Sequence, residues 1–112
     1  ELHYTGKMMM LAVSNSNSFG NGLIIYPDSR PDDGLLGVTT LGNVTILDYI
    51  LNLPNLRKGN YIKHYDITYS VCSKLSLNIL SRTAPVETDG EVFGAGNFDV
   101  SVIPSIIRVL KY

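Results

Sequence analysis

The chain has 112 residues, of which 45% are hydrophobic and 17% charged, with a formal net charge of −1. That size and balance suggest one globular domain, burying roughly two-thirds of its unfolded surface, and exclude a disordered chain. The near-neutral charge supplies no basic footprint for nucleic acid, and the single cysteine, Cys72, excludes an intrachain disulfide and a cysteine metal cluster.

The lack of a disulfide fits a reducing cytoplasm. Apolar runs such as residues 8–13 fall far short of the roughly 20 residues that cross a bilayer. No signal peptide is legible. The start at Glu1-Leu2, without an initiator methionine, is what an excised piece of a longer protein, a tag or a cleavage product would show.

Residues 4–14, YTGKMMMLAVS, are continuously apolar and predict a buried strand, with Met8, Met9 and Met10 in the core. NSNSFGNG, residues 15–22, is small, polar and glycine-bearing, which predicts a loop. LIIYP, residues 23–27, predicts a short strand closed by Pro27. An acidic loop follows, and LLGVTTL, residues 35–41, predicts a further strand. From Val44 the period changes. Leu47, Ile50, Leu51 and Leu53 recur at three- and four-residue spacing, which indicates a helix. Asn43 or Thr45 can cap its start, Asp48 favours its positive end, and Pro54 and Gly59 bracket its finish.

YIKHYDITYS, residues 61–70, and KLSLNIL, residues 74–80, read as strands. The second alternates, with Leu75, Leu77 and Ile79 on one face and Ser76 and Asn78 on the other. APVETDGEVF, residues 84–93, reads as strand, tight Asp89-Gly90 turn, strand. FDVSVIP and IIRVLKY close the chain as two more short strands. The fold expected is mainly β: a two-layer β-sandwich of short, mostly antiparallel strands with one main helix.

Two acidic loops carry most of the chemistry. Asp28, Asp32 and Asp33, followed by Gly34, are hard oxygen donors that could hold magnesium or calcium, completed by backbone carbonyls and water. The same residues also make an ordinary solvated turn, and their spacing is not that of an EF-hand. Asp89-Gly90-Glu91 could supply a general base or orient a metal, or could be only a hairpin turn. NSFGNG could admit a phosphate to the backbone, but it lacks the P-loop lysine and precedes no helix in the nucleotide-binding manner. His3 and His64 lack ligand spacing and read as surface or strand residues. Cys72 reads as a packed thiol. Arg57-Lys58, with Lys63, reads as a solvated helix end, with anionic lipid as the alternative partner.

The order of these motifs is more telling than any one of them. AVSNSNSFGNGLIIYPDSRPDDGLLGV resembles the opening of the C-terminal domain of the diacylglycerol kinase and sphingosine kinase-like lipid kinases, including bacterial members. The matching positions are Asn15, Gly20, Gly22, Pro27, Asp28, Asp32, Asp33, Gly34, Leu35 and Leu36. LRKGNYIKH, Asp89-Gly90-Glu91 and FDVSVIPSIIRVL with Pro104 continue the resemblance in family order. Gly20-Asn21-Gly22 replaces the family's three consecutive glycines, and Asn15-Ser16 its common Asn-Gly.

The resemblance implies a structural divalent cation, magnesium or calcium, with Asp33 as carboxylate ligand, Leu36 offering its backbone carbonyl and Asp32 taking part. It implies Asp89 as the general base that receives a lipid hydroxyl proton, and Glu91 in the network beside it. Asn15, Gly20 and Gly22 would form the substrate-side loop. Family enzymes hold ATP through a Gly-Gly-Asp-Gly-Thr motif in a separate N-terminal domain. This sequence has no such motif, so the resemblance implies a C-terminal half that is inactive by itself and partnered by the N-terminal kinase domain of the same protein. The acceptor would be a lipid, diacylglycerol first and a sphingoid base or ceramide second, reached by a cytoplasmic protein peripheral to the membrane. An excised half would also expose its former interface and could form a homodimer through it. The rival expectation is a non-catalytic β-sandwich that binds lipid or protein.

Overall fold

The structure, a computed structural model, describes residues 8–16, 18–19, 22–79, 85–88, 91–92 and 97–104. Its elements run β1 (Met10–Ser14), β2 (Ser18–Phe19), β3 (Leu23–Ile24), β4 (Leu36–Leu41), α1 (Ile46–Lys58), β5 (Ile67–Cys72), β6 (Lys74–Asn78), β7 (Glu87–Thr88), β8 (Glu91–Val92) and β9 (Asn97–Ser101). Every strand pairing among the described residues is antiparallel. One sheet has the order β1-β4-β5, and β2–β3, β6–β9 and β7–β8 form two-stranded sheets. The mainly β, sandwich-like fold with one helix agrees with the sequence reading.

The central strand is β4. Its first four residues are buried, as a strand hemmed in on both edges by neighbours requires. Leu36 and Val38 supply apolar core, while Thr39 satisfies its buried hydroxyl by donating to the Ile25 carbonyl at 3.3 Å. Strands β6 and β9 pair from Lys74↔Ser101 to Asn78↔Asn97, with Leu75 and Leu77 half-buried and Ser76 and Asn78 exposed, as the alternation predicts. The Val102 amide donates to the Ser73 carbonyl at 3.2 Å and so ties the exit of β9 to the β5–β6 junction.

Helix α1 starts at a full capping box. The Asp48 amide donates to the Thr45 hydroxyl at 3.1 Å, and the Thr45 amide donates back to Asp48 at 2.9 Å. Thr45, not Asn43, is therefore the cap. Gly59 ends the helix in the left-handed region, φ 77°.

Several expectations are corrected. Pro54 does not bracket the helix but lies inside it, on the exposed side, at the cost of one amide donor to the helix. The helix positions Leu47, Ile50 and Leu51 are exposed, and only Leu56 of α1 is buried. Met9 and Met10 are exposed as well, not core; among the described residues β1 is an edge strand with β4 as its one neighbour. Strand structure begins at Ile67 rather than at residue 61, since the Ile67 amide donates to the His64 carbonyl in a turn. The predicted strand over 23–27 is only Leu23–Ile24, and it forms a hairpin with Ser18–Phe19 inside the predicted loop. Gly22, φ 81°, supplies the left-handed residue of that hairpin. The β7–β8 pair is the expected Asp-Gly hairpin, although Asp89 and Gly90 themselves lie outside the described residues. The predicted strand over 106–112 and the segment 4–7 also lie outside them.

Candidate functional site

The acidic loop leads directly into β4 and is pinned from several sides. Leu36 pairs with Cys72, and Gly37 pairs with Ser14 on one side and Val71 on the other. Ser29, itself buried, donates its hydroxyl to the Ser14 carbonyl at 3.1 Å and its amide to the Tyr26 carbonyl at 3.1 Å. Gly34 takes φ 69°, and Pro104 lies 3.6 Å from where its Cβ would be. The loop is thus held where the ends of β1 and β5 and the segment after β9 converge.

An aromatic wall stands behind it. Tyr26, Tyr61 and Tyr69 meet edge to face, with ring centroids 6.1, 5.9 and 4.8 Å apart. The Tyr61 hydroxyl donates to Asp28, and the Tyr69 hydroxyl accepts from the Ile62 amide at 3.1 Å. Partial desolvation of Tyr61, which stays 40% exposed, then the Asp28 carboxylate beside it, pushes this phenol above its ordinary 10.0. It stays a donor at every physiological pH. This cluster joins residues far apart in the chain and has no signature in the sequence.

The three aspartates do different things. Asp28 takes the Tyr61 proton bond. Asp32 is held by Arg30 through both oxygens, at 3.2 and 3.1 Å. Asp33 Oδ1 accepts the Leu35 amide at 3.0 Å, which shapes the turn into β4. Among the described residues no three His, Cys, Asp or Glu side chains converge as a metal cage. Leu36, the expected carbonyl donor, is buried at the start of β4 opposite Cys72. A carboxylate oxygen and a backbone carbonyl are the hard donors that magnesium or calcium takes. Asp32 is exposed and shares its carboxylate with the exposed Arg30.

The other predicted residues are placed more loosely. Glu91 is exposed on β8, paired with Thr88. Asn15 is exposed just after β1. Gly22 has open space around it. Asp89 and Gly20 lie outside the described residues. Cys72 is a free, half-buried thiol at the end of β5. His64, expected to be ordinary, links two segments: Nε2 lies 3.4 Å from Asp48 of α1, Nδ1 accepts the Asp66 amide at 3.0 Å, and the ring stacks on Tyr65. At the opposite end of β4 a shallow depression is lined by Met8, Met9, Gly42, Asn43 and Val44. No described helix is long and apolar enough to cross a membrane.

Comparison with known proteins agrees with the resemblance read from the motifs. The chain is 26% identical over 99 residues to a diacylglycerol kinase of Bacillus subtilis (strain 168), covering 84% of this chain and 32% of that protein. It is 25% identical over 104 residues to a diacylglycerol kinase of Mycobacterium tuberculosis (strain ATCC 25618 / H37Rv), covering 87% of this chain and 31% of that one. The chain therefore spans about a third of the length of these curated relatives. Residues 2–111 match one family along almost the whole sequence, and the chain belongs to it: the YegS C-terminal NAD kinase beta sandwich-like domain.

Proposed function

We propose that this chain is the acceptor-side half of a lipid kinase that transfers the ATP γ-phosphate to the hydroxyl of diacylglycerol, with a sphingoid base or ceramide as the second choice of acceptor. The family membership and the diacylglycerol kinase relatives support that reading. The observation that carries it is the placement of the acidic loop. A mere solvated turn does not need Ser29 buried against Ser14, Asp28 bonded to Tyr61 and Gly34 packed beside Pro104.

In this reading Asp89 accepts the proton of the lipid hydroxyl as its oxygen bonds to the γ-phosphorus and the bond to ADP breaks. Such transfer depends on positioning and charge neutralisation more than on covalent chemistry. Glu91 would sit across the Asp-Gly turn from β7, in the polar network around that base. Asp33 and the Leu36 carbonyl would hold a divalent cation, whose charge braces the loop. Asn15, Gly20 and Gly22 would border the acceptor. ATP would be held by the nucleotide-binding part of the same polypeptide, so the chain alone would be inactive, and the assembled protein would work at the membrane surface.

The test is phosphate transfer from labelled ATP to diacylglycerol, sphingosine and ceramide, with this chain joined to its nucleotide-binding part. Transfer to one lipid should fall by about 100-fold or more in Asp89→Asn, the loss typical of a missing general base. Folding and ATP binding should be unchanged. Transfer that survives Asp89→Asn refutes the assignment of the base. Absence of transfer to every lipid, with ATP bound, favours a non-catalytic lipid-binding module.

A further inference from the structure

Asp48 ties the start of α1 to the chain that follows the helix. It already serves the Thr45 cap, and its Oδ2 lies 3.4 Å from Nε2 of His64. The other ring nitrogen of His64, Nδ1, accepts the Asp66 amide at 3.0 Å. The ring thus acts as an asparagine does in an Asx-turn, accepting from the amide two residues on. The His64 carbonyl closes the same turn by accepting the Ile67 amide at 3.1 Å. The Asp66 carbonyl accepts the Gly42 amide at 2.7 Å, just past the end of β4. The His64 side chain is only 13% exposed, and its ring stacks on Tyr65 with centroids 4.7 Å apart. One covered imidazole therefore stands where the helix start, the entry to β5 and the exit of β4 meet.

This geometry fixes the proton. A neutral imidazole has one donor and one acceptor nitrogen. Nδ1 faces an amide N–H and must accept, so the proton sits on Nε2, toward the Asp48 carboxylate. A second proton can enter only at Nδ1, where it would meet the Asp66 N–H, donor against donor. We propose that His64 is a pH-sensitive joint: neutral, it closes the turn into β5; protonated, it gives up that turn bond and becomes the cation of an ion pair with Asp48 at the start of α1. The charged groups around it allow the exchange. Asp48 faces Nε2 from α1, and bonds from the Thr45 amide and then the Thr45 hydroxyl hold its carboxyl below 3.8, so it stays charged where histidine titrates. Asp66, in the turn itself, carries its carboxylate toward Gly42, with Oδ1 3.3 Å from where a Gly42 Cβ would be. Gly42 brings no charge from β4, and the neighbouring Lys63 is exposed. Acidification from about pH 8 to about pH 5 thus loosens the entry to β5 while it tightens the helix start. The joint does not depend on the lipid kinase reading, and the two fail separately.

The experiment is nitrogen-15 NMR of the full-length polypeptide that carries this chain, followed from about pH 8 to about pH 5, the range in which histidine changes charge. At the alkaline end His64 should hold its proton on Nε2, in clear excess over the same residue in the urea-unfolded protein. The Asp66 amide resonance should then shift with the same midpoint as the His64 ring. His64→Asn offers an oxygen to the Asp66 amide without a titrating group, so it should keep the fold and flatten that shift. His64→Ala should leave the Asp66 amide at its low-pH position throughout. A proton on Nδ1 at the alkaline end, or an Asp66 amide that ignores the ionisation of His64, overturns the proposal. So does an Asp66 shift that survives in His64→Asn, which would assign it to the Asp66 or Asp48 carboxylate. The tautomer and the Asp66 shift are both read on the wild-type protein, so a variant that fails to fold does not remove the test.

Discussion

Gly37 offers the sharpest test of how the loop is held. It lies in β4 between Ser14 and Val71. A Cβ placed there would fall 2.5 Å from Cγ of Tyr26, and 2.7 and 2.9 Å from its two Cδ atoms. Those atoms are the root of the ring, so a small swing of its far end does not clear the clash. Tyr26 would have to leave its rotamer and both edge contacts, with Tyr61 and Tyr69. Overpacking of this kind costs about 1–3 kcal/mol, and each aromatic pair contributes about 0.5–1.5 kcal/mol. Gly37→Ala should therefore destabilise by about 3 kcal/mol, lowering the melting temperature by roughly 10 °C for a domain of this size. In a Tyr26→Ala background the obstruction is gone. Replacing a strand glycine by alanine should then gain about 0.5 kcal/mol. The same substitution thus changes sign, and a double-mutant cycle from urea midpoints should give a coupling of about 3.5 kcal/mol, provided the m-values agree. Effects that add within about 0.5 kcal/mol would refute the packing of Tyr26 against β4.

Two further predictions concern α1. Hydrogen bonds from the Thr45 amide and then the Thr45 hydroxyl, with His64 nearby, hold the Asp48 carboxyl below its ordinary 3.8. A pKa lower in the folded than in the unfolded chain means that the stability it contributes is present above about pH 4 and is lost as pH falls through the folded value. Asp48→Asn should flatten the acid limb of the stability curve, and an unchanged limb in urea titrations below about pH 4 would count against the capping box. Pro54→Ala should stabilise the protein by about 2 kcal/mol. An interior proline costs about 3 kcal/mol against alanine, and the freer unfolded chain takes back up to about 1 kcal/mol. A fall in the melting temperature would mean that the helix depends on its proline.

Much of the scaffold was legible because it is decided within a few residues. The Thr45 and Asp48 capping box, the Gly59 stop, the alternation of β6 and the pairing of β7 with β8 are each encoded by residues that touch their near neighbours in sequence. The order of the acidic, glycine and proline motifs was enough to indicate the family. Pro54 misled the reading because a local rule, that proline ends helices, gave way to a cap and packing that hold α1 on both sides of it. The roles of the aspartates were not legible, since their residue type is the same and only their partners differ: Tyr61 for Asp28, Arg30 for Asp32, the Leu35 amide for Asp33.

By itself, then, the sequence determined the helix with its caps, the strands β4 and β6, and which lineage of domains they belong to, because periodicity, caps and turn residues act over one or two turns of chain. Only the tertiary structure decided which face each element shows. The Tyr26, Tyr61 and Tyr69 cluster, the link from His64 to Asp48 and the outward turn of the apolar side of α1 depend on segments separated in sequence. Amphipathic spacing says that a helix has two faces, and it does not say which of them meets the rest of the protein.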